Sequence, residues 1–337
     1  MASNRKILIT GAAGFIGSHL VDHLLKKTDI SNLVLFVKKG ETMDNLQHLI
    51  KPNVIFGDIR NKDDVKRAVV GVDTIYHLAA KIDFDGKSYR EYESVNVEGT
   101  KNLIDECRKM KIKKFVLFSS IGVYGLPAGI GQIRNWNEKH AKTYTNYYGR
   151  SKLEAEEAVI GASNEFGLPY SIIRPASVYG PREKGPTYQM YKAIKNGRFA
   201  VIGKGDNLMH YVFVEDLVKA TILTGNSKRK TGDYIIAGPK ANTLNEVTKN
   251  VAESIGLSKP SVRIPVWAAL LLAHVFGTIT SIAGIKFPLY PSRVKTMTTT
   301  YFYDISKAKK ELNFVPKVNF KKGTRVTGKW YLENNWI

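Results

Sequence analysis

The chain has 337 residues, a length that predicts two domains or lobes rather than one small core. Its composition, 43% hydrophobic and 24% charged, is typical of an ordered globular protein. A single cysteine, Cys107, excludes an internal disulfide framework and fits a reducing compartment. A short polar lead passes directly into an apolar run with no signal-peptide pattern, so we expect a cytoplasmic protein.

The formal net charge is +21, and lysines and arginines cluster at 107–115, 227–232 and 320–325. Such an excess favours attraction to polyanions or to anionic lipid surfaces. No basic stripe interleaved with aromatic residues and no nucleic-acid-binding motif accompanies it, so we expect no nucleic-acid partner. A merely solvated basic surface is the simpler explanation, and peripheral contact with a membrane stays open.

Strand-like and helical segments alternate along the first 175 residues. Apolar, β-branched runs predict strands at 6–10, 33–37, 53–57, 74–79, 114–120 and 169–175. Amphipathic runs predict helices at 18–27, 61–70, 95–110 and around Tyr148. This alternation predicts an α/β protein with a doubly wound parallel sheet, the Rossmann fold. We assign 1–175 to one domain, with segments near 207–237 returning to it, and 176–337 to a smaller mixed lobe that carries the substrate-facing surface.

Three glycines, Gly11, Gly14 and Gly17, lie between the first predicted strand and the first predicted helix. Glycine allows a tight turn, lets the backbone approach a pyrophosphate closely and leaves the N-terminus of the helix to bind it. The spacing is G-x-x-G-x-x-G rather than the usual dinucleotide fingerprint. Its position directly after the first strand nevertheless indicates nucleotide binding.

Tyr148 and Lys152, in the stretch NYYGRSKLEAEEAV at 146–159, are four residues apart and share one face of a helix. A nearby ammonium favours the phenolate and lowers the pKa of a phenol, which suits it to proton transfer. The spacing alone is weak evidence, because Tyr-x-x-x-Lys also begins at Tyr188, Tyr191 and Tyr303. The rest of the chain has to decide which tyrosine matters.

Eight short motifs supply that context. They are TGAAGFIGSHL at 10–20, GDIR at 57–60, HLAA at 77–80, VNVEGT at 95–100, FSSIGVYG at 118–125, YGRSK at 148–152, RPASVYGP at 174–181 and DISKAKKELNFVPK at 304–317. Through them the chain resembles the extended short-chain dehydrogenase/reductase superfamily, the NAD-dependent epimerase/dehydratase family, over nearly its whole length. Each motif alone is weak, but their order and spacing are jointly specific.

The resemblance implies that Ser120, Tyr148 and Lys152 are catalytic. In the family the tyrosine moves a proton to or from the substrate oxygen while the nicotinamide carries a hydride at the same carbon. The lysine holds the ribose hydroxyls, and Ser119 matches a supporting position. The three other Tyr-x-x-x-Lys matches lie outside this context, and we interpret them as surface coincidences.

The resemblance also implies that 1–175 is the NAD(P)-binding domain and that it forms a cofactor cleft. Asp58 and Ile59 would border the adenine, Asn96 would support the backbone of the active site, and Pro175 and Val178 would lie beside the nicotinamide. The remaining cleft residues come from the glycine loop, the HLAA segment and the catalytic pair: Gly11, Gly14, Phe15, Ile16, Gly17, Leu78, Ala79, Ala80, Lys81, Tyr148 and Lys152.

Cofactor choice depends on the end of the second strand, where NAD-preferring relatives carry an acidic residue. This sequence has Val37 near that position, followed by Lys38 and Lys39. A carboxylate would repel a 2′-phosphate, whereas an ammonium attracts it. We therefore expect Lys38 to bind the adenosine end of NADP(H), which is favoured over NAD(H).

Departures within the motifs narrow the chemistry. Sugar-nucleotide dehydratases carry an acidic pair where this chain has Ile121 and Gly122, and 4-epimerases place an asparagine and an arginine where it has Ser177 and Met209. Methionine cannot replace arginine as a partner of phosphate. The chain is therefore closest to the 3β-hydroxysteroid dehydrogenase and dihydroflavonol reductase branch, which interconverts alcohols and ketones on larger, more apolar molecules. A nucleotide-sugar 4-epimerase and a non-catalytic dinucleotide-binding sensor or structural subunit stay open as alternatives.

Residues 264–285 contain no formally charged side chain. A transmembrane anchor, a buried core helix and an apolar lid lying on the bilayer all fit, although glycine and hydroxyl residues after Phe276 make the second half a poor helix former. We expect the segment to lie on the substrate side and to select a largely apolar substrate. The basic flanks that suit the lid interpretation are Arg263, Lys286, Arg293 and Lys295.

Two further expectations concern metals and assembly. The seven histidines form no His-Glu-x-x-His or Cys/His motif, so we expect no metal site. The resemblance, and nothing else in the sequence, implies a homodimer.

Overall fold

The computed structural model describes residues 6–82, 88–125, 135–283 and 291–337, without the side chains of 276–283, 291–293 and 296. The strands in chain order are β1 (Ile7–Thr10), β2 (Leu33–Lys38), β3 (Val54–Gly57), β4 (Thr74–His77), β5 (Lys114–Phe118), β6 (Asn135–Trp136), β7 (Tyr170–Pro175), β8 (Ser177–Tyr179), β9 (Val201–Ile202), β10 (Leu208–Met209), β11 (Tyr211–Phe213), β12 (Asp233–Ile236), β13 (Asn242–Thr243), β14 (Arg263–Ile264) and β15 (Phe302–Tyr303).

The helices in chain order are α1 (Phe15–Leu24), α2 (Lys62–Ala68), α3 (Tyr89–Tyr92), α4 (Gly99–Lys109), α5 (Tyr147–Phe166), α6 (Pro186–Lys195), α7 (Val214–Asn226), α8 (Leu244–Ser254), α9 (Val266–Ala283), α10 (Pro291–Thr298), α11 (Ser306–Leu312) and α12 (Phe320–Glu333). A π-helical turn, Glu93–Glu98, joins α3 to α4, and a 3₁₀ turn, Ile121–Tyr124, follows β5.

The central sheet has seven strands in the order β12-β7-β5-β4-β1-β2-β3, and every neighbouring pair is parallel. The order reverses on either side of β1, as in a doubly wound sheet. β12 reaches the outer edge from a point far along the chain, where it pairs with β7. The predicted doubly wound Rossmann fold is confirmed, and each predicted strand lies within two residues of its observed bounds.

Helices cover both faces of this sheet. Because side chains alternate along a strand, Ile7 and Ile9 of β1 join one apolar core while Leu8 joins the other. The first core includes residues of α1 and α7, such as Leu20 and Leu217, and the second includes residues of α2, α4 and α5. Burial on both faces explains why the strands are continuously apolar rather than alternating.

The second half of the chain adds two smaller cores. An aromatic cluster packs α6, α8 and α12 against β8 and β11. A separate small core joins α9 to α10 and β9. Helix α9 continues to Ala283, so the expectation of a poor helix after Phe276 is wrong; Gly284 and Ile285 lie outside the described residues. Among the helices in the described ranges, none combines the length and apolarity needed to cross a membrane.

Candidate active site

The glycine loop joins β1 to α1. Gly11 has a φ of 68°, a left-handed conformation that favours glycine, and a Cβ there would lie 3.0 Å from the Ala79 backbone nitrogen. A Cβ on Gly17 would lie 2.1 Å from the Gly11 carbonyl oxygen. Helix α1 then begins at Phe15, and no side chain caps its N-terminus. An uncapped helix N-terminus beside a loop of glycines and alanines is the arrangement that binds a pyrophosphate, so the residues fit a dinucleotide.

Helix α5 places Tyr148 and Lys152 on its first turns. The Asn146 side chain caps the helix by accepting from the Gly149 backbone N–H at 2.7 Å. Tyr148 forms a hydrogen bond with the Ser120 side chain, which comes from the loop directly after β5. The Lys152 ammonium lies 6.0 Å from the centre of the Tyr148 ring and donates to the Phe118 carbonyl at 2.7 Å. The three residues assigned as catalytic therefore lie together.

The electrostatics of this group differ from one expectation. Burial raises the pKa of Tyr148 to about 12, and the Ser120 hydrogen bond offsets only part of that rise. Burial also lowers the pKa of Lys152 to about 8, although the nearby Glu156 carboxylate opposes the change. The expectation that the ammonium would depress the pKa of the phenol is wrong for this structure, because desolvation by burial dominates and the opposing contribution comes from the Ser120 hydrogen bond.

The other tyrosines behave differently from Tyr148. Tyr147 points outward with 48% of its surface exposed, and its ring contacts Tyr89 at 5.9 Å between centroids. Tyr191 and Tyr303 are buried, so describing them as surface coincidences is wrong. The Tyr191 hydroxyl donates to the Thr324 carbonyl at 2.9 Å and holds α6 to α12. Those matches are parts of the core, which the four-residue spacing alone cannot distinguish from a site.

Asn96 connects the active-site helix to the cofactor cleft. Its side-chain amide accepts from the Lys81 backbone N–H at 2.8 Å and donates to the Lys81 carbonyl at 3.0 Å. It also donates to the Ser151 hydroxyl on α5 at 2.9 Å. The residue is buried within the π-helical turn. This contact set fixes the backbone that follows β4, which is the supporting position implied for Asn96.

His77 was not among the expected site residues, yet it organises the same strand end. Its Nδ1 lies 2.8 Å from the Thr10 hydroxyl and its Nε2 lies 3.0 Å from the Thr100 hydroxyl. Thr100 donates its proton to the Asn96 carbonyl at 2.6 Å, so Nε2 must carry the imidazole proton. Burial, with the Lys152 charge as a smaller cause, lowers the pKa of His77 to about 3 and keeps the ring neutral.

Glu156, one turn beyond Lys152, anchors a buried charge network that the sequence analysis missed. Its carboxylate accepts from the Ser119 hydroxyl at 2.6 Å, from Lys142 at 2.8 Å and from two nitrogens of Arg174 at 2.7 and 2.8 Å. Although burial favours the neutral acid, Arg174 and Lys142 hold the pKa of Glu156 below its usual value. Arg174 in turn donates to Asp233 of β12 at 2.7 Å. The network thus ties α5, β7 and β12 together behind the catalytic group.

The adenine end of the predicted cleft is charged. Lys38 ends β2 with its side chain exposed and pairs in register with Gly57, next to Asp58. Arg60 donates to both oxygens of Asp58, and the hydrogen bonds from Arg60, with a smaller contribution from the Lys38 charge, lower the pKa of that carboxyl. Lys39 lies 3.9 Å from the Asp64 carboxylate, whereas Ile59 is buried against α4.

The expected cleft residues share one edge of the sheet. The segments that follow the carboxyl ends of β1, β4, β5 and β7 carry the glycine loop, the HLAA segment, Ser120 and the Pro175–Val178 stretch. Ligands of open α/β sheets bind at this edge, where the strand order reverses. Val178 lies on β8 and pairs with Val212 of β11. In the part of the chain that the structure describes, no three His, Cys, Asp or Glu residues are arranged to hold a metal ion.

Known proteins share this fold and sequence pattern. Residues 7–237 match the model of the NAD dependent epimerase/dehydratase family. The chain is 29% identical to N-acetyl-alpha-D-glucosaminyl-diphospho-ditrans,octacis-undecaprenol 4-epimerase of Escherichia coli O157:H7, over 90% of this chain and 88% of that protein. It is 27% identical to the decarboxylating sterol-4-alpha-carboxylate 3-dehydrogenase of Mus musculus, over 96% of this chain and 90% of that protein.

A solved structure supports the same assignment of fold. UDP-glucuronic acid 4-epimerase from Bacillus cereus, in complex with NAD, superposes with a TM-score of 0.77 over 98% of this chain and 99% of that chain, at 24% identity. At that identity the likeness speaks for the fold alone. The family match covers well over half of the residues and coincides with the sheet and the glycine loop. The chain therefore belongs to the NAD dependent epimerase/dehydratase family, within the extended short-chain dehydrogenase/reductase superfamily that its motifs predict.

Proposed function

We propose that the protein is an NAD(P)-dependent oxidoreductase that interconverts a secondary alcohol and a ketone on a largely apolar substrate. The observation that carries the proposal is the contact of Tyr148 with Ser120 beside the buried ammonium of Lys152. A non-catalytic sensor or structural subunit has no need of such a group. The dinucleotide would bind to 1–175 and to the returning segments near 207–237, in which α7 packs on the sheet and β12 forms its outer strand. The rest of the chain would hold the substrate.

The side chains divide the chemistry between them. When bound, the nicotinamide supplies or accepts the hydride at the carbinol carbon. Tyr148 gives its phenolic proton to the substrate oxygen in reduction and takes it back in oxidation. Ser120 holds that oxygen by a hydrogen bond, and Lys152 keeps a positive charge beside the phenol. The neutral His77 and the Asn96 amide keep the backbone of the cleft in place.

The apolar substrate is supported by what this site lacks. The two positions where 4-epimerases grip a nucleotide diphosphate carry Ser177 and Met209. Ser177 pairs with Tyr211, and the Tyr211 hydroxyl lies 3.8 Å from the Met209 sulfur, so both positions border β11. A thioether gives phosphate no charge to bind. Both relatives described above are named for substrates with a large apolar part, a sterol carboxylate in one case and a sugar joined to undecaprenol through a diphosphate in the other.

The test is the formation of reduced cofactor during incubation with candidate alcohols. We expect NADP(H)- or NAD(H)-coupled turnover with 3β-hydroxysterols or flavonoid alcohols and none with UDP-sugars. A Tyr148→Phe variant serves as the control for chemistry at this site. Turnover confined to UDP-sugars, or cofactor binding without any turnover across the panel, would refute the proposal.

A second candidate is a 4-epimerase that acts on a lipid-linked sugar. The likeness to the undecaprenol-diphosphate 4-epimerase along 90% of this chain favours it. Such a substrate offers its own apolar anchor, but its diphosphate would still need a cationic partner other than residue 209, which is methionine. An epimerase returns the hydride to the same molecule, so its product forms with no net change in cofactor. Product analysis alongside cofactor absorbance therefore separates the two reactions.

A further inference from the structure

Helix α9 has two unlike apolar faces. Ala269 and Ala273 are fully buried, in the small core that includes Ile202 and Val294. The opposite side presents large apolar side chains to solvent. Their exposed fractions are 71% for Trp267, 59% for Leu271, 40% for Leu272 and 47% for Val275. We call these four residues the α9 apolar face.

The spacing makes this face continuous. Trp267, Leu271 and Val275 follow one another at intervals of four, so they form a stripe along the helix, and Leu272 widens it. Scattered exposed apolar residues are normal on a protein surface, but a contiguous row marks a contact site. The row is also the reverse of an ordinary surface helix, which buries its large side chains and exposes its small or polar ones.

The charge of the chain segment that contains α9 limits what can cover the face. From Ser254 to Tyr303 the sequence has no Asp or Glu and five basic residues: Lys259, Arg263, Lys286, Arg293 and Lys295. Arg263 lies in β14, three residues before the start of α9, and its guanidinium donates to the Lys204 carbonyl at 2.6 Å and to the Asn245 amide oxygen at 3.0 Å. Both acceptors are uncharged, so these hydrogen bonds do not neutralise the arginine.

An anionic bilayer fits this combination better than a second copy of the chain. In a two-fold dimer across the face, the basic segment of one copy would lie near the same segment of the other copy. The like charges would repel each other. A bilayer with acidic headgroups instead attracts the basic residues while its apolar layer receives the side chains of the face. A tryptophan at one end of the stripe also suits the boundary between headgroups and acyl chains.

We propose that the α9 apolar face docks the protein on the surface of an anionic lipid bilayer. The alanine side of α9 stays packed on the protein, so the helix lies along the membrane with only one side in the lipid. This proposal goes beyond the reaction, and it holds whichever of the two candidate reactions the enzyme performs.

Sedimentation of the full chain with phosphatidylcholine vesicles, with and without phosphatidylglycerol, tests the proposal. We expect binding that requires phosphatidylglycerol, weakens with salt and falls at least ~10-fold in a Leu271→Ser/Leu272→Ser variant. The matched control is Leu223→Ser/Leu332→Ser, since these leucines of α7 and α12 are 38% and 42% exposed. The control should bind as the wild type does.

Tryptophan fluorescence gives a second measurement that needs no leucine variant. Vesicle binding should shift the emission of the wild type to the blue, and Trp267→Phe should abolish that shift. Circular dichroism checks that each variant is folded. The proposal would be overturned if the wild-type protein did not bind the vesicles or if the leucine variant bound as tightly as the wild type. A fluorescence shift that persists in Trp267→Phe would also overturn it. It would also be overturned by a wild-type dimer that the leucine substitutions convert to monomers, which would make the face a contact between copies.

Discussion

Lys38 carries the prediction about cofactor choice. Its exposed ammonium ends β2 beside the Asp58–Arg60 pair, whereas Lys39 lies within 3.9 Å of Asp64 and is partly neutralised. We expect NADP(H) to bind more tightly than NAD(H), because a 2′-phosphate gains a charged partner at Lys38. Lys38→Ala should weaken NADP(H) about 10-fold and leave NAD(H) unchanged, since one charge-assisted contact is lost.

Titration of both cofactors against the wild type and Lys38→Ala decides the question. Lys39→Ala is the neighbouring control and should have the smaller effect. Equal affinities for the two cofactors, unaltered by removal of Lys38, would show that the ammonium does not contact the 2′ position.

Lys152 predicts a specific dependence of stability on pH. Burial lowers its pKa from 10.5 to about 8, so in that range the unfolded chain binds more protons than the folded one. Stability contributed by this group therefore rises with pH across the window. A Lys152→Met variant lacks the dependence, so the wild type should gain on the order of 1–3 kcal/mol relative to it between these pH values. Urea unfolding at several pH values measures the difference, and a constant difference would mean that the buried ammonium is not destabilised.

At the scale of elements, α5 carries both the proposed catalytic pair and the carboxylate that lies behind it. Tyr148, Lys152 and Glu156 follow at intervals of four on one side of the helix. Glu156→Gln should cost about 3 kcal/mol of unfolding free energy, because the charge of Arg174 would stay buried without its full partner. Glu165, on the exposed end of the same helix, pairs with Arg108 at the surface. Denaturant unfolding should show a large loss of unfolding free energy in Glu156→Gln and little loss in Glu165→Gln. Equal losses would mean that the buried network does not stabilise the fold more than a surface ion pair does.

What the sequence predicts well is local. The glycine turn and the Tyr148–Lys152 pair each depend on residues within a few positions, so their patterns are visible in one short stretch. The Glu156 network depends on Arg174 and Asp233, which reach it only when three elements of the fold come together. One signal was available in the sequence. Glu156 follows Lys152 by four residues, so it lies on the same inward-facing side of the helix, and a buried carboxylate needs a buried partner.

The same limit explains the two wrong expectations about tyrosines. The pKa of Tyr148 depends on how far burial disfavours the phenolate, and sequence spacing does not report burial. Tyr191 and Tyr303 lie outside the family motifs and were expected at the surface, but both are buried in the folded chain. The sequence likewise predicts that α9 is apolar. Because apolar residues occur on all its sides, the sequence does not show which side is exposed to solvent.

At the scale of the whole molecule, two regions have proposed functions: the α9 apolar face and the cleft at the carboxyl edge of the central sheet. The carboxyl edge of the sheet carries the residues expected to bind the dinucleotide, and the later elements add an apolar helix and a basic stretch. If the substrate is a lipid, docking of α9 on a bilayer would bring the enzyme to the phase in which the substrate is dissolved. The order of steps would then be membrane binding, substrate capture and proton transfer at Tyr148.

The central claim is that Tyr148, and not its neighbour, transfers the proton. Tyr148→Phe should bind cofactor normally and lose at least ~100-fold in turnover, the scale expected for a removed general acid–base group. Tyr147→Phe removes the hydroxyl of the adjacent, exposed ring and should retain near wild-type turnover. The decisive measurement is turnover of the substrate found in the cofactor assay, in both variants, with cofactor affinity determined in parallel. An active Tyr148→Phe with an inactive Tyr147→Phe would contradict the account.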